Sequence, residues 1–322
     1  MNSVRTRSAP PPKAPPAAGL SARPVRSSLA TWLDIKAAPY ALVSPYFLLF
    51  AVFGFFPLLF TFWVSLHDWE LAGSDREFIG FENYSELVKD ADFWNSVYNT
   101  LGMFVLSTIP QILGALFLAN LLNKKLRFRL VMRMGILLPL VTSIVAVSVV
   151  FSQLYARDYG FVNWILGKEG TLDWTADKWS SWTAVATMVD WRWTGYNALI
   201  FLAAMQSIPG DLYEAASIDG ATTRRMFWSI TIPMLKPAIV FVTIISTIGG
   251  LSLFTEPTLF NNGDVGGGSL SQSQTIAMYM YERGFRDFDF GYASAVAWML
   301  FLLILIVSVI SFLLTRRIGG AK

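Results

Sequence analysis

The chain of 322 residues has no cysteine and a single histidine, His67. Disulfides, thiolate metal sites and cysteine nucleophiles are excluded, and one imidazole cannot build a His-rich metal centre. Charge is scarce as well. Asp, Glu, Lys and Arg make up 15% of the residues, against about 25% in a soluble domain. Apolar residues make up 54% and gather in long runs, so the solvent expected for this chain is a bilayer. The net charge of +3 does not point to nucleic acid, because the basic residues flank apolar runs, as in membrane proteins. No nucleotide site is expected either. Gly263, Gly266, Gly267 and Gly268 form a glycine-rich run, but no Gly-Lys-Ser/Thr follows it.

Residues 41–66, 93–123, 134–156, 237–255 and 290–315 are apolar and long enough to cross a bilayer, and a sixth stretch, roughly 179–208, is interrupted by Asp190 and Arg192. The runs predict six transmembrane helices, because backbone polar groups in lipid must be paired within the segment. They lack the alternation of a strand barrel. With residues 1–39, 123–133, 209–236 and 316–322 on one side, that side holds 17 of the 25 Lys and Arg but only 4 of the 22 Asp and Glu. The positive-inside rule then makes both termini cytoplasmic. Residues 1–39 are basic and Pro-rich (Pro10-Pro11-Pro12, Pro15-Pro16). They are expected to be a disordered tail and not a cleavable signal. The membrane-spanning domain is expected over 40–317, and 318–322 is a short tail. External loops are expected at about 67–92, 157–178 and 256–289.

The polar segment 209–237 says most. Ile208-Pro209-Gly210 ends a membrane helix. Asp211 is expected as an N-cap, with Glu214 completing a capping box. Tyr213, Ala216 and Ser217 share a face, and Gly220 closes the helix. A second helix, about Thr222–Ile230, leads to Pro233 and Pro237. An ordinary loop does not need about thirty residues.

Glu214-Ala215-Ala216-Ser217-Ile218-Asp219-Gly220-Ala221, continued through Pro237, resembles the EAA loop of ABC import permeases. Ile79-Gly80-Phe81-Glu82-Asn83-Tyr84, Trp94–Thr100, Leu137-Leu138-Pro139 and Ala204–Pro209 are similar to segments of the maltose-type sugar permeases. Trp191–Asn197 and Gly249–Pro257 look like actinobacterial importers of cellobiose and related oligosaccharides. The resemblance covers about Pro39 to Arg317, without the large external insertion of the enteric maltose permease. It implies an all-α integral membrane protein with a type I ABC importer permease fold and a cytoplasmic coupling helix. The implied partners are a second homologous permease, an ATPase dimer that binds ATP and Mg, an extracytoplasmic sugar-binding protein and membrane lipid. Glu214, Ala215, Ala216, Asp219 and Gly220 take the coupling positions. Arg224 and Arg225 are outside the pattern, and no catalytic, cofactor or metal residue is implied in this chain.

Polar groups inside spans default to function. Asp190, Arg192, Trp193 and Asn197 in the fourth span, and Phe254 and Glu256 after Gly249-Gly250, are the candidate sugar-pathway residues. They offer flat aromatic faces with carboxylate, amide and guanidinium partners for hydroxyls. The competing reading pairs Asp190 with Arg192 near an interface. Gln111 and Gln153 are weaker candidates that would equally suit bonding between helices. A β-linked disaccharide such as cellobiose is the expected substrate. Another sugar, a polyol or glycerol-phosphate is the alternative, although glycerol-phosphate wants more cations than Arg192. An intramembrane enzyme has little support, since Asp190 and Glu256 are the only acids near span interiors. Trp69, Glu70, Asp75, Glu77, Tyr279, Tyr281, Phe285 and Phe288 in the external loops are candidates for docking a binding protein.

Overall fold

The computed structural model describes residues 38–70, 76–124 and 127–317. The two expected terminal tails lie outside the described residues, except that Ala38 and Pro39 already open the first helix. The chain divides into two units, Met1–Leu58 and Leu59–Lys322.

The described part of the first unit is the start of one helix, α1 (Ala38–Ser65). A π-helical turn, Ala51–Phe55, lies just before Pro57. Proline has no N–H for the preceding turn, and the Phe56 N–H reaches back to Ala51 O instead. The same arrangement recurs before Pro233, where the π-helical turn Phe227–Thr231 ends with the Ile232 N–H on Phe227 O. Residues 39–53 are exposed and almost wholly apolar, as a lipid-facing surface is.

The second unit is helical apart from an antiparallel hairpin of β1 (His67–Asp68) and β2 (Glu77–Phe78). Its helices are α2 (Glu82–Leu87), α3 (Ala91–Leu122), α4 (Arg129–Gly135), α5 (Leu138–Val141), α6 (Ile144–Leu154), α7 (Phe161–Leu166), α8 (Lys178–Gln206), α9 (Gly210–Ile218), α10 (Thr223–Met234), α11 (Lys236–Leu251), α12 (Thr255–Phe260), α13 (Ile276–Phe285) and α14 (Phe290–Arg317). α3 and α8 pack along their length. Small residues allow this close approach: Gly102 lies under the Trp182 ring and Gly114 beside Thr194, and Ala115, Ala119 and Ala198 are buried.

Among the described residues, α1, α3 and Phe290–Thr315 are each long and apolar enough to cross a membrane, and two bent helix pairs bring the number to five. The expected fourth span is present as α8, but it is not among them. Much of its surface is buried, and a helix shielded by neighbours has less need to be apolar all round. The expected continuous span 134–156 is corrected: Arg129–Val141 and Ile144–Leu154 meet at 91°. A backbone contact fixes the first arm, because α8 passes so close to Ile136 that a Cβ on Gly195 would lie 1.7 Å from Ile136 O. Thr223–Met234 and α11 meet at 67°, at Leu235 and just before Pro237.

The stretch between α12 and α13, expected as an external loop, folds inward. Ser273, Gln274 and Thr275 are buried. Their backbone is satisfied from distant helices, as burial demands. Asn99 donates to Ser271 O (2.7 Å) and Gln274 O (3.0 Å), and Trp182 Nε1 donates to Gln272 O (2.9 Å). The Ile276 N–H donates to Thr100 Oγ1 (2.9 Å). The glycine-rich run ahead of it wraps a carboxylate of the same chain: the Gly266 and Gly268 N–H groups donate to Asp264 at 3.0 and 3.2 Å.

Candidate functional site

A cavity of about 290 Å³ lies between α3, α8 and α11 and the break that follows α11. Val189, Trp193, Tyr196 and Asn197 share one stripe of α8 and form one wall. Ser107, Thr108 and Gln111 come from α3, and Ile245, Ser246, Gly249 and Gly250 from α11. α11 stops at Leu251, so residues 252–256 turn across the end of the cavity and bring Phe254 and Glu256 to its lining. Irregular backbone at membrane depth is tolerated where it is buried or lines a cavity.

Three polar side chains join the three helices. Asn197 Nδ2 donates to Gln111 Oε1 (2.9 Å) and Ser246 Oγ (3.1 Å), and Ser246 Oγ donates to Gln111 Oε1 (3.0 Å). Gln111 Nε2 and Asn197 Oδ1 are not used by this triad. Glu256 is only 8% exposed. Trp193 and Tyr196 keep about a third of their surface free, and their rings meet edge to face with centroids 6.1 Å apart. The cavity thus offers aromatic faces, amides, hydroxyls and one carboxylate. Among the described residues, no Lys, Arg or His lines it.

Four of the six expected pathway residues, Trp193, Asn197, Phe254 and Glu256, come together here. Asp190 and Arg192 are not on the wall. Nor do they pair: residues two apart on a helix point about 200° from each other, and no ion pair joins them among the described residues. Asp190 Oδ1 and Arg192 Nε and Nη1 are buried without a hydrogen-bond partner there. Gln111, one of the weaker candidates of the sequence, is on the lining. It belongs to the cavity and also bonds between helices. Gln153 is exposed and lies elsewhere.

The segment 209–237 forms two short helices. α9 begins at Gly210 after Pro209, and no side chain caps it. The expected capping box is therefore corrected: Asp211 lies inside the first turn, where its charge still complements the helix dipole. The C-terminal end is as expected. Gly220 has φ +75°, the left-handed conformation that favours glycine. The Ala221 N–H bonds Ala216 O (2.9 Å) and the Gly220 N–H bonds Ser217 O (3.1 Å). Thr222 caps α10, its Oγ1 accepting from the Arg225 N–H at 3.3 Å. Tyr213 OH and Thr231 Oγ1, 2.9 Å apart, tie the two helices together. Glu214, Ala215, Asp219 and Gly220 are exposed and Ala216 is half-buried. Ile218 stands 87% exposed. Arg224 and Arg225 are exposed too.

Several motif residues outside these two regions hold the fold. Asn83 Nδ2 donates to Ser65 O (2.9 Å) and His67 O (3.1 Å), and Tyr84 OH lies 2.7 Å from Ser65 Oγ. Tyr279, expected on a docking loop, is buried instead and donates to Asp90 Oδ2. Tyr292 donates to the same oxygen at 2.6 Å, and Arg283 Nε donates to Tyr279 OH at 3.0 Å. Burial raises the Asp90 pKa, but the hydrogen bonds from Tyr279, Tyr292 and the Asp92 N–H outweigh it and hold the carboxyl below its usual range. Burial and the Asp90 bond push Tyr279 up to about 12. Tyr281, Phe285 and Phe288 remain exposed.

Comparison with known proteins agrees with this architecture. Residues 111–320 match the family model "Binding-protein-dependent transport system inner membrane component". The chain is 37% identical over 298 residues to the lactose transport system permease protein LacF of Rhizobium radiobacter, covering 91% of this chain and 98% of that one. It is 35% identical over 288 residues to the arabinooligosaccharides transport system permease protein AraP of Halalkalibacterium halodurans (87% and 88%). It is 33% identical over 274 residues to the trehalose/maltose transport system permease protein MalF of Thermococcus litoralis (84% and 91%). Among solved structures, a chain of a bacterial alginate ABC transporter, crystallised with its alginate pentasaccharide-bound periplasmic protein, superposes with a TM-score of 0.73 at 22% identity, covering 90% of this chain and 98% of that one. With helices suited to a bilayer, a family match over most of its length and sugar-system permeases among its relatives, the chain is a multi-pass membrane protein that belongs to the maltose-type sugar-import permeases of ABC transporters and is not itself an enzyme.

Proposed function

We propose that this chain forms half of the translocation pathway for a di- or oligosaccharide, with a β-glucoside such as cellobiose as the first candidate. The observation that carries this reading is the cavity in which Trp193, Asn197, Phe254 and Glu256 converge with Gln111 and Ser246. Aromatic faces suit the apolar faces of a sugar ring, and amides with free donors and acceptors suit its hydroxyls. At about 290 Å³ the cavity is at the lower edge of ligand-site volumes. That fits a half-site completed by a second, homologous permease. A wall with one carboxylate and no cation disfavours an anionic substrate such as glycerol-phosphate. Asp190 and Arg192 lie off this wall and are left out of the contact set. Relatives are named for lactose, arabinooligosaccharides, trehalose/maltose and sulfoquinovosyl glycerol, which supports the saccharide and glycoside class without choosing a member.

In this reading an extracytoplasmic binding protein delivers the sugar, and both termini are cytoplasmic. Energy comes from an ATPase dimer that holds ATP and Mg. Glu214, Ala215, Ala216, Asp219 and Gly220 dock on it, and the exposed Ile218 supplies an apolar anchor. The test is ATP hydrolysis by the reconstituted complex with its binding protein, over a panel of neutral and anionic sugars. The expected result is stimulation by a neutral oligosaccharide that Gly220→Pro abolishes while the complex stays assembled. If no sugar stimulates the wild type, the substrate class is wrong. Normal stimulation in the variant removes the coupling role.

A further inference from the structure

A second pocket, of about 280 Å³, shares no lining residue with the cavity or with α9. Arg133 and Leu137 form one side, and Leu199, Leu202, Ala203 and Gln206 of α8 the other. Three observations bear on its occupant. First, Arg133 is the only charged group on the wall. Its Nε is sealed from solvent with no hydrogen-bond partner among the described residues, and no described carboxylate pairs with it. The side chain is half-buried and a sealed N–H left without an acceptor is costly, so an anion from outside the described chain would satisfy this guanidinium. Second, the walls opposite it are mostly aliphatic, which suits a hydrocarbon chain and excludes a small hydrated ion as the whole ligand. Third, the arm that carries Arg133 meets α6 at 91°, so the two cannot both run along the bilayer normal. The segment holding that arm exposes Phe128, Leu130, Val131 and Met134 beside Arg127 and Arg129. Exposed apolar residues interleaved with cations are the composition of a helix lying in the lipid headgroup region.

We propose that an anionic phospholipid occupies this pocket, with its phosphate on Arg133 and an acyl chain along Leu137, Leu199 and Ala203. The proposal needs only that the chain is a membrane protein. It does not depend on the sugar or coupling roles.

The test uses the assembled transporter, equilibrated with an equimolar mixture of phosphatidylglycerol and phosphatidylcholine and examined by native mass spectrometry. Phosphatidylglycerol is retained preferentially by the wild type. Arg133→Gln lowers that retention at least about fivefold, the equivalent of roughly 1 kcal/mol per basic residue at a membrane surface, and Arg133→Lys restores most of it. The absence of cysteine permits a second readout that does not rely on either variant folding. A fluorophore on Ala203→Cys is quenched more by brominated phosphatidylglycerol than by brominated phosphatidylcholine. Equal retention by wild type and Arg133→Gln overturns the proposal, as does equal quenching by the two lipids. So does a crosslink from the introduced thiol to a partner subunit, which would place protein in the pocket.

Discussion

Two glycines of α9 make a controlled experiment. Gly210 opens the helix and Gly220 follows its end, and a Cβ built on either meets nothing within 4 Å. They differ in backbone: Gly220 has φ +75° and Gly210 does not have positive φ. Gly220→Ala therefore adds no clash. It imposes only the left-handed penalty on an L-residue, about 1–2 kcal/mol. That cost falls on the closure made by the Ala221 and Gly220 N–H groups, and it lowers the ratio of closed to frayed helix end by about 5- to 30-fold. A nine-residue helix has little stability of its own, so the loss is expected to stay local. Gly220→Asn should fall between, because Asn tolerates this conformation better. Gly220→Pro should be worst, since its φ is fixed near −65° and it lacks the N–H. Gly210→Ala should be neutral or slightly stabilising. Hydrogen exchange at the Ala221 amide reads the physics, and sugar-stimulated ATP hydrolysis reads the consequence. Both should rank Gly210→Ala and wild type first, then Asn, Ala and Pro at 220. If Gly220→Ala matches Gly210→Ala in exchange, the backbone argument fails. If exchange follows the ranking and hydrolysis does not, the helix end is unconnected to energy coupling.

The remaining predictions concern the packed interior. Asn197→Leu removes the donor to Ser246 Oγ and one of the two donors to Gln111 Oε1, which keeps the Ser246 hydroxyl, a cost of about 0.5–1.5 kcal/mol for each lost bond; the sugar concentration for half-maximal stimulation should rise at least fivefold, and alanine double mutants of Asn197 and Gln111 should be non-additive. Gly195→Ala forces a Cβ to 1.7 Å from Ile136 O, so the thermal midpoint should drop by the equivalent of about 1–3 kcal/mol or more, while Gly249→Ala, with nothing near its Cβ, should not lower it. Asp90 has a folded pKa below its ordinary value, so its contribution is full above pH 4 or so and is lost as pH falls through the folded value. The thermal midpoint should decline from pH 6 to pH 3 in the wild type, and the slope should be shallower in Asp90→Asn.

How much the sequence disclosed depended on how local the cause was. Long uncharged runs place helices without knowledge of neighbours, and the Pro209-Gly210 and Gly220 punctuation fixes both ends of α9. Polar residues in those runs marked the cavity because few other reasons put Asn197 or Glu256 there. Placement on the cavity wall has another origin. Asp190 and Arg192 are neighbours of Trp193 in the chain, but the wall is chosen by helix phase, and phase is set by the packing of α8 on α3. Gln111 was ambiguous because its amide meets Asn197 and Ser246, 86 and 135 residues away in the chain. The 271–276 segment reads as a loop because it is polar, yet it is buried because Asn99, Thr100 and Trp182 satisfy its backbone from more than 85 residues away. In each case a residue's chemistry was visible in the sequence, and its direction was decided by a partner far along the chain. Arg133 has equally plain chemistry, and its buried Nε has no partner among the described residues.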